Sequence, residues 1–165
     1  MKRTWYVLHV RPRTEKKVAA HLLSYGYFCH LPVYVKVVKV QRRKVRRELP
    51  LFPGYVFTRL FPEERLRMLQ TNLLVRTIPV AEPRKMIHQL RQIARAAKAS
   101  PEMKTACPFA VGDYVRVAYG PMRGTEGYVR REGRGATLCL NVEILGASVE
   151  VSVEFGDLEK ADPPF

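Results

Sequence analysis

The chain has 165 residues, of which 47% are hydrophobic, so it is long enough for one or two small domains. No apolar run approaches the roughly 20 residues that span a membrane, and the N-terminus lacks a signal-peptide pattern, so we expect a cytoplasmic protein. Three scattered cysteines argue against a disulfide framework and supply no Cys-x-x-Cys pair for zinc.

The charge is divided unevenly between the two parts of the chain. Residues 1–100 hold 22 Lys and Arg against 5 Asp and Glu, a net of +17. Residues 101–165 hold 7 against 10, a net of −3, and the two parts give the total of +14. The split indicates two units with different partners, and the basic unit is expected to bind nucleic acid. The alternative is a surface that only keeps the protein in solution.

The first elements are a strand and a helix. Residues 4–10, TWYVLHV, are aromatic and β-branched and predict a strand. Residues 14–25 predict a helix with Thr14 as the N-cap and Gly26 as its end, since apolar side chains recur at helical spacing.

A strand pattern follows the helix and leads into a basic stretch. Residues 27–40 predict one or two strands interrupted at Pro32. Residues 41–49, QRRKVRREL, show no apolar period and predict a hairpin tip or a mobile loop. His21, Cys29 and His30 raise the alternative of a metal site, but their spacing fits no common zinc pattern.

The segment ELPLFPGYVFTRL, residues 48–60, predicts a strand after a proline- and glycine-containing turn. Side chains alternate along a strand, so Tyr55 and Phe57 point to one face and Val56 to the other. One face belongs to the core, and the residues alone leave open whether the aromatic face packs in the core or contacts a partner.

The next elements end the basic half. Residues 62–72 predict a helix that begins at Pro62, residues 73–80 a strand, and residues 83–99 an amphipathic helix. The turn formers of residues 99–108 predict a linker.

The remaining sequence has the short alternating strands and frequent glycines of a small β-barrel. Within it, residues 115–131, VRVAYGPMRGTEGYVRR, place Gly124 and Gly127 where positive φ or close backbone approach is needed. This spacing resembles the KOW motif of ribosomal proteins and transcription factors.

Four segments together resemble the NusG family: WYVLHVRPRTEKKVAAHL, LFPGYVF, the KOW segment and LNVEILGASVEVSVEFGDLEK. The order and spacing agree over nearly the whole chain. The resemblance implies an α+β protein, with an α/β sandwich of a mainly antiparallel sheet flanked by helices joined to an SH3-like barrel. The implied division is an RNA polymerase-binding domain at 1–98, a linker at 99–108 and a KOW domain at 109–162.

The resemblance also implies binding residues. The aromatic face of the strand that contains Tyr55 and Phe57 would be exposed and would pack on the polymerase clamp helices. The contacts with the clamp helices and gate loop would be His9, Phe52, Tyr55, Phe57 and Arg67. The contacts with non-template DNA would be Arg11, Lys17, His21 and Tyr25. The basic tip, with Arg42, Arg43 and Lys44, would make non-specific contacts with the phosphates of upstream DNA or nascent RNA. The contacts of the barrel with the ribosomal protein NusE or with the termination factor Rho would be Met122, Ile144 and Leu145. No cofactor or metal is implied, and we expect a monomer.

The implied activity is that of a non-enzymatic elongation and antitermination factor that limits pausing. No phosphate-binding loop or catalytic constellation competes with this interpretation. The basic, compact N-terminal domain favours a specialised paralogue of the RfaH type, whereas the well-formed barrel resembles the general factor. A KOW-containing ribosomal or RNA-binding protein is the alternative from another class.

Overall fold

A computed structural model describes residues 1–99, 104–106, 112–132 and 135–165. The chain separates into two compact units, Met1–Pro83 and Arg84–Phe165. None of the helices in these described ranges is long and apolar enough to cross a membrane.

The first unit contains a four-stranded sheet, a separate hairpin and two helices. Its elements are β1 Thr4–Val10, α1 Glu15–Ser24, β2 Phe28–His30, β3 Val33–Val40, β4 Arg43–Pro50, β5 Tyr55–Leu60, α2 Pro62–Leu69 and β6 Leu74–Pro79. The sheet has the antiparallel order β2-β5-β1-β6, and β3 and β4 pair only with each other. The predicted mainly antiparallel sheet is confirmed.

The core of this unit lies between one face of the sheet and the apolar sides of the helices. Leu8 and Val56 are central to it, together with Val18 and Leu22 of α1 and Met68 of α2. All five side chains are essentially inaccessible to solvent. Burial of such side chains stabilises the fold by about 1.5–3 kcal/mol each.

The helix boundaries follow local signals that the sequence carries. Gly26 follows α1 with a φ of +71°, a conformation that glycine adopts without steric cost. Pro62 occupies the first turn of α2, and the Phe61 N–H donates to Glu64 Oε2 at 2.8 Å. Thr14 occupies the predicted N-cap position of α1, but its hydroxyl donates to the Arg11 carbonyl and makes no capping hydrogen bond.

The second unit contains a helix and a six-stranded antiparallel sheet. Its elements are α3 Pro83–Ala99, β7 Lys104–Ala106, β8 Tyr114–Val117, β9 Glu126–Glu132, β10 Gly135–Val142, β11 Ala147–Val153 and β12 Leu158–Lys160. The strand order is β12-β8-β9-β10-β11-β7. This arrangement agrees with the predicted SH3-like barrel, whose buried side chains include Leu138, Leu140 and Val149.

Two glycines of the KOW segment meet the backbone needs that the sequence indicated. Gly124 has a φ of +87°. A Cβ at Gly127 would lie 2.6 Å from the Cys139 carbonyl oxygen, so only glycine lets β9 and β10 approach this closely.

The domain boundary stays a prediction. The predicted linker, residues 99–108, lies largely outside the described residues. The compact unit that begins at Arg84 includes α3, whereas the sequence analysis assigned this helix to the domain at 1–98.

Candidate functional site

The turn before β5 presents a stacked pair of aromatic rings. The rings of His9 and Tyr55 lie 5.1 Å apart and within 20° of parallel. Gly54, with a φ of +88°, packs against the His9 ring, where a Cβ would be 3.7 Å from the imidazole. The Gly54 N–H donates to Glu15 Oε1 at 2.9 Å, and the Gly54 carbonyl accepts from the Val10 N–H at 2.8 Å. The turn is therefore anchored to both α1 and β1.

The expectation that the whole aromatic face of β5 is exposed is wrong. Phe57 is completely buried and Phe52 is 3% exposed. Phe57 lies between its register partners Val7 and His30, and the His30 ring is 6.1 Å from the Phe57 ring. Burial also lowers the pKa of His30, which favours its neutral form. The roles predicted for Phe52 and Phe57 in polymerase binding stay predictions. The half-buried His9–Tyr55 pair is the accessible part of the aromatic surface.

Four side chains from two predicted sets line one open hollow: Lys17, His21, Tyr25 and Arg67. The His21 and Tyr25 rings are 6.4 Å apart, and the Arg67 guanidinium lies 5.6 Å from the Tyr25 ring centre. Arg67 Nη1 also donates to the Tyr27 hydroxyl at 2.9 Å. The hollow thus combines two cations with two rings that are suited to stacking on bases.

Arg11 lies at the margin of this hollow. Its backbone N–H donates to the Leu73 carbonyl at 2.9 Å, and Leu73 is part of the hollow lining with Gln70 and Thr71. The Arg11 side chain is exposed at the end of β1. Arg67, which the sequence analysis assigned to polymerase, therefore lies with the residues assigned to nucleic acid.

The remaining predicted nucleic-acid residues are on the β3–β4 hairpin. Residues 41–49 were predicted as a hairpin tip or a mobile loop, and the structure places the turn at Gln41 and Arg42 and a strand from Arg43. Arg42, Arg43 and Lys44 are all exposed. They form a second basic surface rather than part of the hollow.

The barrel residues predicted for partner binding fall into two places. Met122 lines an open hollow with Tyr119, Pro121 and Asp157. Ile144 and Leu145 are half-buried in a short 3₁₀ turn and do not line that hollow. The structure therefore does not gather the three residues into one pocket.

Polar side chains of α3 contact the turns of the barrel. The Glu126 N–H donates to Gln92 Oε1 at 2.7 Å, and Arg95 Nη1 donates to the Gly124 carbonyl at 2.9 Å. Burial would raise the pKa of Glu126, but hydrogen bonds from Arg116 and the Tyr114 hydroxyl lower it below its usual value. The carboxylate is thus held ionised next to the helix.

The metal alternative finds no support in the geometry. Cys29 and His30 are neighbours on β2, so their side chains point to opposite faces of the sheet. Burial raises the pKa of the Cys29 thiol to about 11, which disfavours the thiolate that metals need. In the described ranges no three His, Cys, Asp or Glu side chains are grouped as metal ligands.

Sequence reasoning missed two side chains that organise these surfaces. Glu15 was interpreted only as an acid in the first turn of a helix, yet the residue is 7% exposed and its carboxylate accepts a hydrogen bond from Gly54, 39 residues away. Tyr27 was part of a strand pattern, yet its hydroxyl fixes Arg67 over Tyr25. No local periodicity reports such long-range contacts.

Comparison with known proteins identifies the relatives of this chain. The family model described as "Transcription termination factor nusG" matches residues 3–106. The "Transcription termination/antitermination protein NusG" of Vibrio vulnificus is 29% identical, covering 98% of this chain and 97% of the relative. The protein of the same name from Borreliella burgdorferi is 26% identical, covering 97% and 100%.

The fold is also similar to that of a solved structure. The structure described as "Domain interaction in Thermotoga maritima NusG" has a TM-score of 0.51 and 21% identity, covering 98% of this chain and 99% of that one. At this identity the likeness concerns the fold alone. It agrees with the mixed α/β unit and the strand-rich second unit described above.

Proposed function

The chain belongs to the NusG family, and on this premise we propose that it binds transcribing RNA polymerase as a non-enzymatic elongation and antitermination factor. The family match and the relatives already show that it is a NusG-type transcription termination/antitermination factor. The observation that carries the proposed polymerase binding is the His9–Tyr55 pair beside the anchored turn at Gly54.

The pair has the properties of a protein-binding anchor. The two stacked rings lie on the paired strands β1 and β5 beside the anchored turn, and they give a large contact area at low entropic cost, as aromatic hot spots do. His9 Nδ1 is buried and has no hydrogen-bond partner among the described residues. We assign this surface to the clamp helices, with Phe52 and Phe57 supporting it from beneath.

The hollow is assigned to the displaced non-template strand. Lys17 and Arg67 supply charge for phosphates, and His21 and Tyr25 supply rings for unpaired bases. The position of Arg67 favours this role over the gate-loop contact. A surface that binds unpaired bases of the non-template strand supports a specialised paralogue of the RfaH type, with the general factor as the alternative.

The barrel is assigned to a second partner, a ribosomal protein such as NusE or the factor Rho. The exposed side chains beside Met122 carry this part of the proposal, since Tyr119 is 69% exposed. Coupling a polymerase-binding unit to a partner-binding unit would link transcription to translation or to termination.

The test is binding to an elongation complex with a complete bubble, in comparison with the same nucleic acid without polymerase. We expect Tyr55→Ala to weaken binding by roughly 30-fold, the size of a hot-spot loss. Tyr119→Ala is the matched control, because it removes an exposed tyrosine of the barrel and is expected to leave polymerase binding unchanged. Phe57→Ala is unsuitable as a contact test, because Phe57 is completely buried.

Two outcomes would contradict the proposal. One is unchanged binding of the Tyr55→Ala protein. The other is equal affinity for the naked nucleic acid, which would favour an RNA-binding or ribosomal role. If polymerase binding is as expected, a His21→Ala/Tyr25→Ala protein then tests whether crosslinking to the non-template strand depends on the hollow.

A further inference from the structure

The β3–β4 hairpin is a two-stranded ribbon whose strands pair only with each other. Eight residue pairs join its strands, from Val33↔Pro50 to Val40↔Arg43. Eight residues of strand extend about 27 Å. Apart from half-buried Val38, every residue from 35 to 48 is exposed. Both faces of the ribbon are therefore available to a partner over most of its length.

The ribbon places like charges directly opposite each other. Lys36 lies opposite Arg47, and Lys39 lies opposite Lys44. Such pairs are destabilising in a sheet unless an anion lies between or beside them. None of the hairpin cations pairs with a carboxylate in the described part of the chain. We therefore expect a partner to supply the anions that these cations contact.

The cations are divided equally between the two faces. Partners across a strand pair share a face, and residues an odd number apart along one strand lie on opposite faces. The first-face cations are Lys36, Arg43 and Arg47. The second-face cations are Lys39, Lys44 and Arg46. A ribbon lying flat on a polyanion would use one face only, whereas three cations on each face suit a polyanion on both sides.

Duplex DNA offers two phosphate backbones at the right separation. The B-form major groove is about 12 Å wide and about 8.5 Å deep and admits a two-stranded β-ribbon. The major groove of A-form RNA is too narrow for side chains to enter. Single strands are usually bound through aromatic stacking, and Tyr34, at the base of the ribbon, is its only aromatic residue.

The tip of the ribbon keeps long polar side chains at some conformational cost. Gln41 and Arg42 have φ values of +48° and +66°, where two-residue hairpin turns favour Asn-Gly. Their side chains are exposed at the end of the ribbon. Arg and Gln are also the side chains that best form paired hydrogen bonds with base edges.

We propose that the hairpin inserts tip-first into the major groove of duplex DNA, with the first-face cations on one phosphate backbone and the second-face cations on the other. This inference rests on the proposed function, in which the duplex beside the transcription bubble is the DNA within reach. The hairpin then binds duplex DNA, and the hollow binds the displaced single strand.

The test is fluorescence anisotropy of a short DNA duplex with the full chain, over about 50 to about 200 mM salt. We expect Lys36→Gln/Arg47→Gln and Lys39→Gln/Lys44→Gln to weaken binding equally. Each loss is expected to be roughly 60-fold at about 0.1 M salt, because two lost phosphate contacts remove about 1.8 from the salt slope. Arg91→Gln/Lys98→Gln on α3 removes the same charge elsewhere and is expected to change affinity by less than about threefold.

A footprint on the unmodified protein makes the test independent of variant folding. Dimethyl sulfate methylates guanine N7 in the major groove and adenine N3 in the minor groove. We expect the wild-type chain to protect N7 and to leave N3 reactive. Circular dichroism and thermal unfolding check that both double variants keep the wild-type fold.

Several results would overturn the inference. Loss of affinity in only one double variant would mean that the ribbon lies flat. An equal loss of affinity for single-stranded DNA or duplex RNA in the two double variants would mean a general polyanion site, and absence of N7 protection would exclude groove insertion. Binding to polymerase free of nucleic acid is measured in parallel, and the hairpin variants are expected to retain it. Failure of the wild type to bind the duplex while it still binds polymerase counts against the hairpin inference, whereas absence of polymerase binding in the wild type counts against the proposed function.

Discussion

Strands β4 and β5 follow each other in the chain, and in both the side chains alternate between two faces. They differ in burial. In β5, four of six residues are buried, whereas β4 has none. Strand β5 pairs with β1 and β2 and packs on the core, while β4 pairs only with β3. Alternation therefore fixes which side chains share a face, and only neighbouring elements decide whether that face is core. In this molecule the uncovered ribbon carries the charge and the covered strand carries the stability.

Replacement of a central β5 side chain is expected to have the largest effect. Phe57→Ala removes a completely buried ring and is expected to lower the free energy of unfolding by about 3–5 kcal/mol. The matched change in the hairpin, Val37→Ala, is expected to cost less than about 0.5 kcal/mol, since Val37 is 55% exposed. Denaturant unfolding of both proteins measures the difference. Losses of similar size would mean that the ribbon is packed and that the contrast between the strands is wrong.

Loss of the hydrogen bond between Glu15 and the turn before β5 is expected to have the next largest effect on stability. Glu15→Ala leaves the Gly54 N–H without its carboxylate and is expected to cost about 1–3 kcal/mol. Glu63→Ala is the control, since this exposed acid also lies in the first turn of a helix and loses only a helix-dipole term of about 0.3–1 kcal/mol. Denaturant unfolding compares the two proteins. Equal losses would show that the hydrogen bond to the turn contributes nothing.

Much of this contrast could be predicted from local signals. The bounds of α3 follow from helical periodicity after Pro83, the end of α1 from Gly26 and the start of α2 from Pro62. The KOW glycines indicated tight backbone geometry, which Gly124 and Gly127 show. Each of these features depends on residues that are close in sequence.

The remaining features depend on contacts between distant residues. Phe57 is completely buried beside its register partners Val7 and His30, and a strand pattern does not report what covers each face. The Arg67–Tyr27 hydrogen bond spans 40 residues, so the sequence analysis divided the hollow between two predicted sites. The basic stretch at 41–49 gave no apolar period because β4 has no core face to bury.

The turn of the ribbon offers a change in the opposite direction. Gln41→Asn/Arg42→Gly places the preferred residues at two positive-φ positions and is expected to stabilise the hairpin by about 1 kcal/mol. Hydrogen exchange of the hairpin amides should slow by roughly fivefold. Arg46→Asn/Arg47→Gly introduces the same residues within β4 and is expected to speed exchange, since both are poor strand formers. Faster exchange in the tip variant would mean that the tip is not strained.

The smallest effect is a pH dependence confined to the covered sheet. Burial lowers the pKa of His30 below its ordinary 6.5, so the unfolded chain binds the proton more readily than the folded chain. Stability from this residue is therefore present above about pH 6.5 and is lost as the pH falls toward the lowered folded value. Carboxylates such as Glu64 act in a lower window. Burial would raise the pKa of Glu64, but hydrogen bonds from Arg3 and the Phe61 N–H hold it below 4.5.

The two windows make the contribution of His30 measurable by itself. Between about pH 7 and about pH 5.5, the wild type is expected to lose more thermal stability than His30→Asn, which retains the other three histidines. Thermal unfolding at both pH values gives the two differences. Equal losses would mean that His30 is solvated in the native state. In that case the β2 edge of the sheet would resemble the exposed ribbon, and the distinction between the two regions would begin only at β5.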